Sequence, residues 1–422
     1  MTIQNERGRH VISSKERGLL RNLAAHQREI AHSAINEDRV AAWKRHNALK
    51  GERPMLHVEL DTFEQEVLEP RLQCTNTLAR KLERDLSRSF FNLTEFDDDW
   101  VVPDYFGIEQ STYFLPFGHE TTCTNAVDST GGTLGHRFNY LINDLKEDFE
   151  KLGRAKFGVL EDEARKYQAI AQDVFGDILP VRITMGCLSA VPTQQVVHLM
   201  GMETMCYSMY DYPELFHEMM TRLTDDYLAF FHMLEQKGYL LPTNGFERLN
   251  QGSKCFTDEL PSRGPLTTKN VWGFMDSQES VSISPEQFGE FIFPYYKKIG
   301  DSFGLLSYGC CEPISAVWDY IKTFENLRKV SISPWCDEAA MAKNLSGSRV
   351  IYHRKPSPNY LGVGKTLDED AFRAHIRTTL KTAIGCKLEI TQRDVYTVNG
   401  DINKVRRYVE IIREEIDSTW QA

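Results

Sequence analysis

The spacing of apolar residues changes character several times along this chain, and each change predicts an element. Ser13-Ser14-Lys15-Glu16 has the form of a capping box, and Leu19, Leu20, Leu23, Ala24 and Ile30 follow at helical spacing. This predicts a helical extension over residues 1–50, closed by the turn Gly51-Glu52-Arg53-Pro54. Met55 to Leu60 then has the apolar character of a buried strand. Residues 61–135 carry no dominant period, and the acidic run Asp97-Asp98-Asp99 reads as a solvated loop. Tyr140 to Leu152 predicts an amphipathic helix, with Leu145, Phe149 and Leu152 on one stripe.

From residue 178 the rhythm sharpens. Leu179 to Gly186 predicts a strand. Tyr212-Pro213 opens a long helix with proline at its first position; Leu215, Met219, Leu223, Tyr227, Phe230 and Leu234 form its apolar face and Gly238 ends it. A short strand is predicted at Tyr239 to Leu241, and another helix from Ser284-Pro285-Glu286, burying Phe288, Phe291, Ile292 and Tyr295. Strands are then predicted at 304–309, 328–333, 349–353 and 387–391. Helices fall between them at 313–325, 337–345 and 367–383, and a last one starts at Asp401. Strands alternating with helices imply parallel β-structure with right-handed crossovers. No GxGxxG follows the first strand and no Walker loop is present, which weighs against a doubly wound nucleotide-binding sheet. The predicted fold is therefore α/β, a (β/α)8 barrel over residues 51–422 behind the helical extension.

Composition narrows this little, and charge narrows the partners. The 422 residues, 41% hydrophobic and 26% charged, suit one large barrel domain. A net charge of −11 argues against nucleic acid and against an anionic membrane surface. No run approaches the roughly 18 apolar residues of a membrane helix, and MTIQNERGRH lacks the apolar core of a secretory signal. A cytoplasmic protein is expected. Nine cysteines, an odd number thinly spread, do not suggest a disulfide framework.

In such a barrel the chemistry sits where strands end. That rule selects Cys310, Cys311 and Glu312 after one strand, and Trp335, Cys336 and Asp337 after the next. It then selects His353, Arg354 and Lys355, and last Gln392, Arg393 and Asp394. Thiolate, carboxylate and imidazole are the usual zinc ligands, so Cys310, with Cys311 as second candidate, suggests a metal position. Glu279, in the loop before the Ser284 helix, is a further ligand or a general acid. His57 and Glu59 on the first strand are candidates to point inward, and Arg354 with Lys355 suits a carboxylate or phenolate.

Three segments carry a family resemblance. Ser282 to Tyr296 (SISPEQFGEFIFPYY), Leu305 to Ile314 (LLSYGCCEPI) and Leu327 to Asp337 with Ser348 to Leu361 resemble the uroporphyrinogen decarboxylase superfamily, and within it the cobamide-dependent methyltransferase branch. The resemblance is good over about residues 180–420. In that branch the strand at Leu305 carries a His-x-Cys zinc motif; here Tyr308 stands in the histidine's place and Cys310 in the cysteine's. The family's later cysteine has no counterpart, Gln392 to Asp394 occupying that region, so zinc would draw on Glu279, Cys310 and Cys311. The resemblance implies methyl transfer between a small substrate, such as a methyl ether or methylamine, and a corrinoid carried by a separate protein. It implies Glu279, Tyr308 and Asp337 as catalytic candidates and His57, Trp335, Arg354 and Lys355 as substrate contacts, and leaves room for a homodimer. The alternatives are a porphyrinogen-type decarboxylase and a non-catalytic barrel that binds a ligand or a corrinoid protein.

Overall fold

In the computed structural model, which describes residues 12–127 and 133–420, two helices come first. Helix α1 (Ser14–Ala31) starts on the expected capping box, Ser13 and Glu16 each satisfying the other's backbone, and α2 (Ala34–Asn47) follows after a Ser33 cap. The opening residues MTIQNERGRH lie outside the described part. Leu20 and Ala24 of α1 pack with Leu82 and Leu86 of α3 (Thr77–Glu95) and with Ala171 and Phe175 of α4 (Glu161–Phe175). The helical extension is thus fastened to the body by an apolar layer of its own.

Nine strand segments among the described residues form the parallel ladders of the body. They are β1 (Met55–Val58), β2 (Phe106–Glu109), β3 (Val181–Thr184), β4 (Leu188–Ala190), β5 (Trp272–Met275), β6 (Leu305–Tyr308), β7 (Leu327–Ile332), β8 (Ile351–Arg354) and β9 (Leu388–Gln392). Strands β4 to β9 pair in sequence order, all parallel, and β9 then pairs with β1 through Met55↔Glu389 and Val58↔Gln392. That order, with the last strand beside the first, is the order of a (β/α)8 barrel. Strand β2 pairs in parallel with β3, and β3 continues into β4 after three residues, so the two act as one stave. Helices α5 (Pro192–Asp211), α6 (Pro213–Gln236), α7 (Phe293–Gly300), α8 (Trp318–Ile321), α9 (Glu338–Leu345), α10 (Glu369–Thr382) and α11 (Ile402–Thr419) wrap the outside. The long helix at Pro213 and the terminal helix bury the expected faces, Met219, Leu223, Tyr227, Phe230 and Leu234 in one, Val405, Val409 and Ile412 in the other. None of the described helices is long and apolar enough to cross a membrane.

Among the described residues no ladder joins β1 to β2. The edge of β1 is satisfied instead by the acidic run. Asp99 Oδ2 accepts from Leu56 N at 2.6 Å, Asp98 Oδ2 accepts from Val58 N at 2.9 Å, and Asn92 donates to Val58 O at 2.7 Å. The run expected as a solvated loop is therefore a seam: Asp98 is fully buried and Asp99 nearly so. An unpaired strand edge inside a protein needs such partners, because an orphaned buried amide is costly. Beside the seam lies a cavity of about 310 Å³, walled by β1, β2, α3 and the hairpin Arg248–Lys254.

Three local expectations differ. The helix expected over 140–152 is only Leu145–Asp148 followed by a 3-10 turn, and the strand expected at Tyr239 to Leu241 is irregular chain. The helix from Ser284 passes through a π turn, Phe288–Ile292, just ahead of Pro294, which lacks the amide a regular helix would use.

Candidate active site at the barrel mouth

Strand parity decides which side chains reach the mouth. On β8, His353 and Lys355 point into the barrel and Arg354 points between barrel and helices. Arg354 donates to Ser333 O at 2.8 Å and Ile332 O at 3.1 Å, and pairs with Glu338 of α9 at 2.5 Å. It is a structural tie, not a substrate contact, because a one-residue step along a strand reverses the face. Lys355 is buried; it donates to Gln251 Oε1 and, at 3.2 Å, to Cys310 O. Burial lowers its pKa, with the Cys310 thiol opposing. Arg393, at the end of β9, binds the same Gln251 oxygen and pairs with Glu59 at 2.9 Å.

Three loops complete the cluster. After β6 the chain turns through Gly309, whose φ of 97° is open to glycine, and presents Cys310, Cys311 and Glu312. The two sulfurs are 3.6 Å apart. The hydrogen bond between them holds the Cys311 thiol below its ordinary range and raises that of Cys310. Glu312 is buried and clamps the loops together, accepting from Ser277 N at 2.9 Å and Cys310 N at 2.8 Å. After β5 stands Asp276, 7% exposed, with one carboxyl oxygen that has no hydrogen-bond partner. Burial pushes its pKa well up, and Glu312, Cys310 and Glu279 add to this. Glu279, in the turn Gln278–Ser280, accepts from Thr193 Oγ1 at 2.9 Å and is also shifted up by burial.

The expected residues divide accordingly. Glu279, Cys310, Cys311 and Lys355 are gathered at the mouth. Tyr308 is fully buried behind it, its hydroxyl donating to Ser277 Oγ at 2.7 Å, so it props the Asp276 loop and does not face a substrate. Asp337 caps α9, accepting from Ala340 N at 2.9 Å. Trp335 is 76% exposed on the outer surface of its loop. His57 points inward but toward the seam, 2.9 Å from Asp98, with its ring stacked on Trp100. The zinc set does not fit this arrangement. Glu279 is held by Thr193, the two thiols face each other, and among the described residues no three His, Cys, Asp or Glu side chains converge as ligands of one ion would.

Asp276 was absent from the sequence-derived set, although the strand-end rule selects it once Trp272-Gly273-Phe274-Met275 is recognised as a strand. Gln251 was also missed; it lies on an irregular hairpin with φ of 68° and carries no pattern signal.

No family model and no curated protein matches the chain. Among solved structures, a methyltransferase from Methanosarcina mazei is similar at 10% identity and a TM-score of 0.48, over 89% of this chain and 97% of that one. A B12-independent methionine synthase from Shewanella sp. W3-18-1, in complex with selenomethionine, is similar at 11% identity and a TM-score of 0.30, over 71% and 76%.

Proposed function

We propose that this chain is a methyltransferase that moves a methyl group from a small methyl ether or methylamine to a corrinoid carried by a separate protein, with Asp276 as the proton donor. The observation that carries the reading is the buried Asp276 carboxyl, held toward its neutral form and left with an unpartnered oxygen at the mouth. The resemblance of Ser282 to Tyr296 and Leu305 to Ile314 to the methyltransferase branch supports the choice of reaction.

Demethylation of an ether or amine is limited by its leaving group. A nucleophile attacks the methyl carbon, the carbon–oxygen or carbon–nitrogen bond breaks, and its electron pair stays on the heteroatom. Asp276 delivers a proton to that atom, giving the free alcohol, phenol or amine. Glu279, also shifted up, lies in the same loop as a second acid to restore the proton. Lys355 sets a positive charge beside Cys310 and steadies an oxyanion before it is protonated. The corrinoid is the co-substrate in this scheme and supplies the nucleophile; the chain supplies position, a dry acid and charge.

The test is methyl transfer to free, reduced cobalamin, followed by loss of the reduced-cobalt spectrum. A panel of methoxyaromatic and methylamine donors is offered, and the demethylated product is identified by mass. Donor-dependent transfer is expected, slowed by about 100-fold or more in Asp276→Asn. No transfer with any donor, or an Asp276→Asn rate equal to that of the parent, overturns the reading.

A further inference from the structure

The seam cavity holds a lysine that lacks an ion-pair partner among the described residues. Lys254 is 6% exposed, and its ammonium makes no hydrogen bond or ion pair among the described residues. Its close neighbour is the Trp100 ring, whose centroid lies 3.2 Å from Nζ. The acid that acts on it most strongly, Asp98, is already committed to His57, Val58 N and Asn92. The other cations of the cavity are answered: Arg88 is paired with Asp61 and Glu64, and Arg248 with Asp61. Of the acids that line the cavity, Asp61 is paired with Arg88 and Arg248, Glu59 with Arg393, Asp85 accepts from the Tyr167 hydroxyl, and Glu109 stands exposed on β2.

A lysine kept in such a place without a partner costs stability, which suggests an absent one. Burial lowers its pKa to about 7, so the site is not adapted to hold the ammonium alone. Among these polar groups the cavity offers four apolar side chains, Trp100, Phe246, Leu60 and Leu249. On β2 the face toward the cavity carries Gly107 and, two residues on, Glu109. The volume of about 310 Å³ suits a single small ring with a substituent. The cavity adjoins the mouth cluster through Glu59, which lines it and pairs with Arg393, and through the hairpin whose Gln251 oxygen binds Lys355 and Arg393.

We infer that this cavity is a binding site for a small aromatic carboxylate, its carboxylate on Lys254 and its ring against Trp100 and Phe246. The inference does not depend on the methyl-transfer reading. A carboxylate would supply the missing counter-charge in a place of low dielectric, where such a pair is stronger than on the surface. The ring would displace water from apolar walls.

Titration calorimetry with benzoate, benzamide and benzylamine tests it on the whole protein. Benzoate is expected to bind at least 10-fold more tightly than benzamide, and benzylamine not to bind. Lys254→Met is expected to weaken benzoate by 10-fold or more and to leave benzamide unchanged. Removal of an unpaired buried charge should also raise the melting temperature of this variant, which shows that it folds. Phe246→Ala is expected to weaken benzoate and benzamide alike. No benzoate binding, equal binding of benzoate and benzamide, or unchanged benzoate affinity in Lys254→Met overturns the inference.

Discussion

Replacement of Asp98 by asparagine tests whether the seam between β1 and β2 depends on charge. One oxygen of Asp98 takes hydrogen bonds from Val58 N and Asn92 Nδ2 and meets the His57 ring; the other accepts from Trp100 N. Burial opposes ionisation here, but the hydrogen bond and attraction of His57, with those of Val58 and Asn92, outweigh it and lower the pKa from 3.8 to about 2. A lowered folded-state pKa stabilises the protein above the unfolded value and loses that contribution as pH falls toward the folded value. The shift corresponds to about 2.4 kcal/mol at pH 7. For a chain of 422 residues, with an unfolding entropy of about 2.1 cal/mol/K per residue, this is a fall in melting temperature of roughly 3 °C. Asparagine keeps the shape and loses the charge, as the protonated acid does. The gap between parent and Asp98→Asn is therefore expected to be full at pH 7 and 5 and to shrink through pH 4 and 3. Scanning calorimetry at those four values measures it. A gap that is absent at pH 7, or that stays constant down to pH 3, would refute the argument.

Two other changes have clear outcomes. Lys329→Met strips the buried Glu389 of the ammonium 2.7 Å away and leaves it facing His46 and His353, whose rings burial holds toward neutral, His353 at about 3. It is expected to cost about 3–5 kcal/mol in denaturant melts, most of it recovered when Glu389→Leu is added; a loss under 1 kcal/mol would count against the pair. Arg354→Ala is expected to cost about 2–4 kcal/mol, because Glu338 and two buried carbonyls lose their donor, while KM for any substrate stays unchanged; a raised KM in a stable variant would place Arg354 in the mouth after all.

The barrel was legible because its staves repeat a local rule. Apolar strands β6 to β9, each followed by a polar strand end and a helix, announce themselves without knowledge of the rest. The site was only half legible, for two reasons of geometry. Parity along β8 separates neighbours that look alike in sequence: Lys355 enters the barrel and Arg354 leaves it. Cooperation between distant segments leaves no local trace. Asp98 and Asp99 look like surface acids until β1 is seen to lack a neighbour, and Lys254 is an ordinary loop lysine until the hairpin carries it inside. Strand β2, with glycine at an inward position, had too little apolar character to be noticed.

The pairing of β9 with β1 has a consequence for the order in which the chain is made. Glu59 and Arg393, joined across that boundary, stand 334 positions apart. During synthesis the first stave must wait, one edge bare, until nearly all the others have left the ribosome. Closing so long a loop is slow, and bare edges invite foreign strands. The stitches made by Asp98 and Asn92 lie only 40 and 34 positions from Val58 and can cover its other edge early. A nascent chain that carries Asp98→Asn would then spend that interval with the second edge of its first strand less guarded as well, and its yield of soluble protein would report on a step that the finished molecule no longer displays.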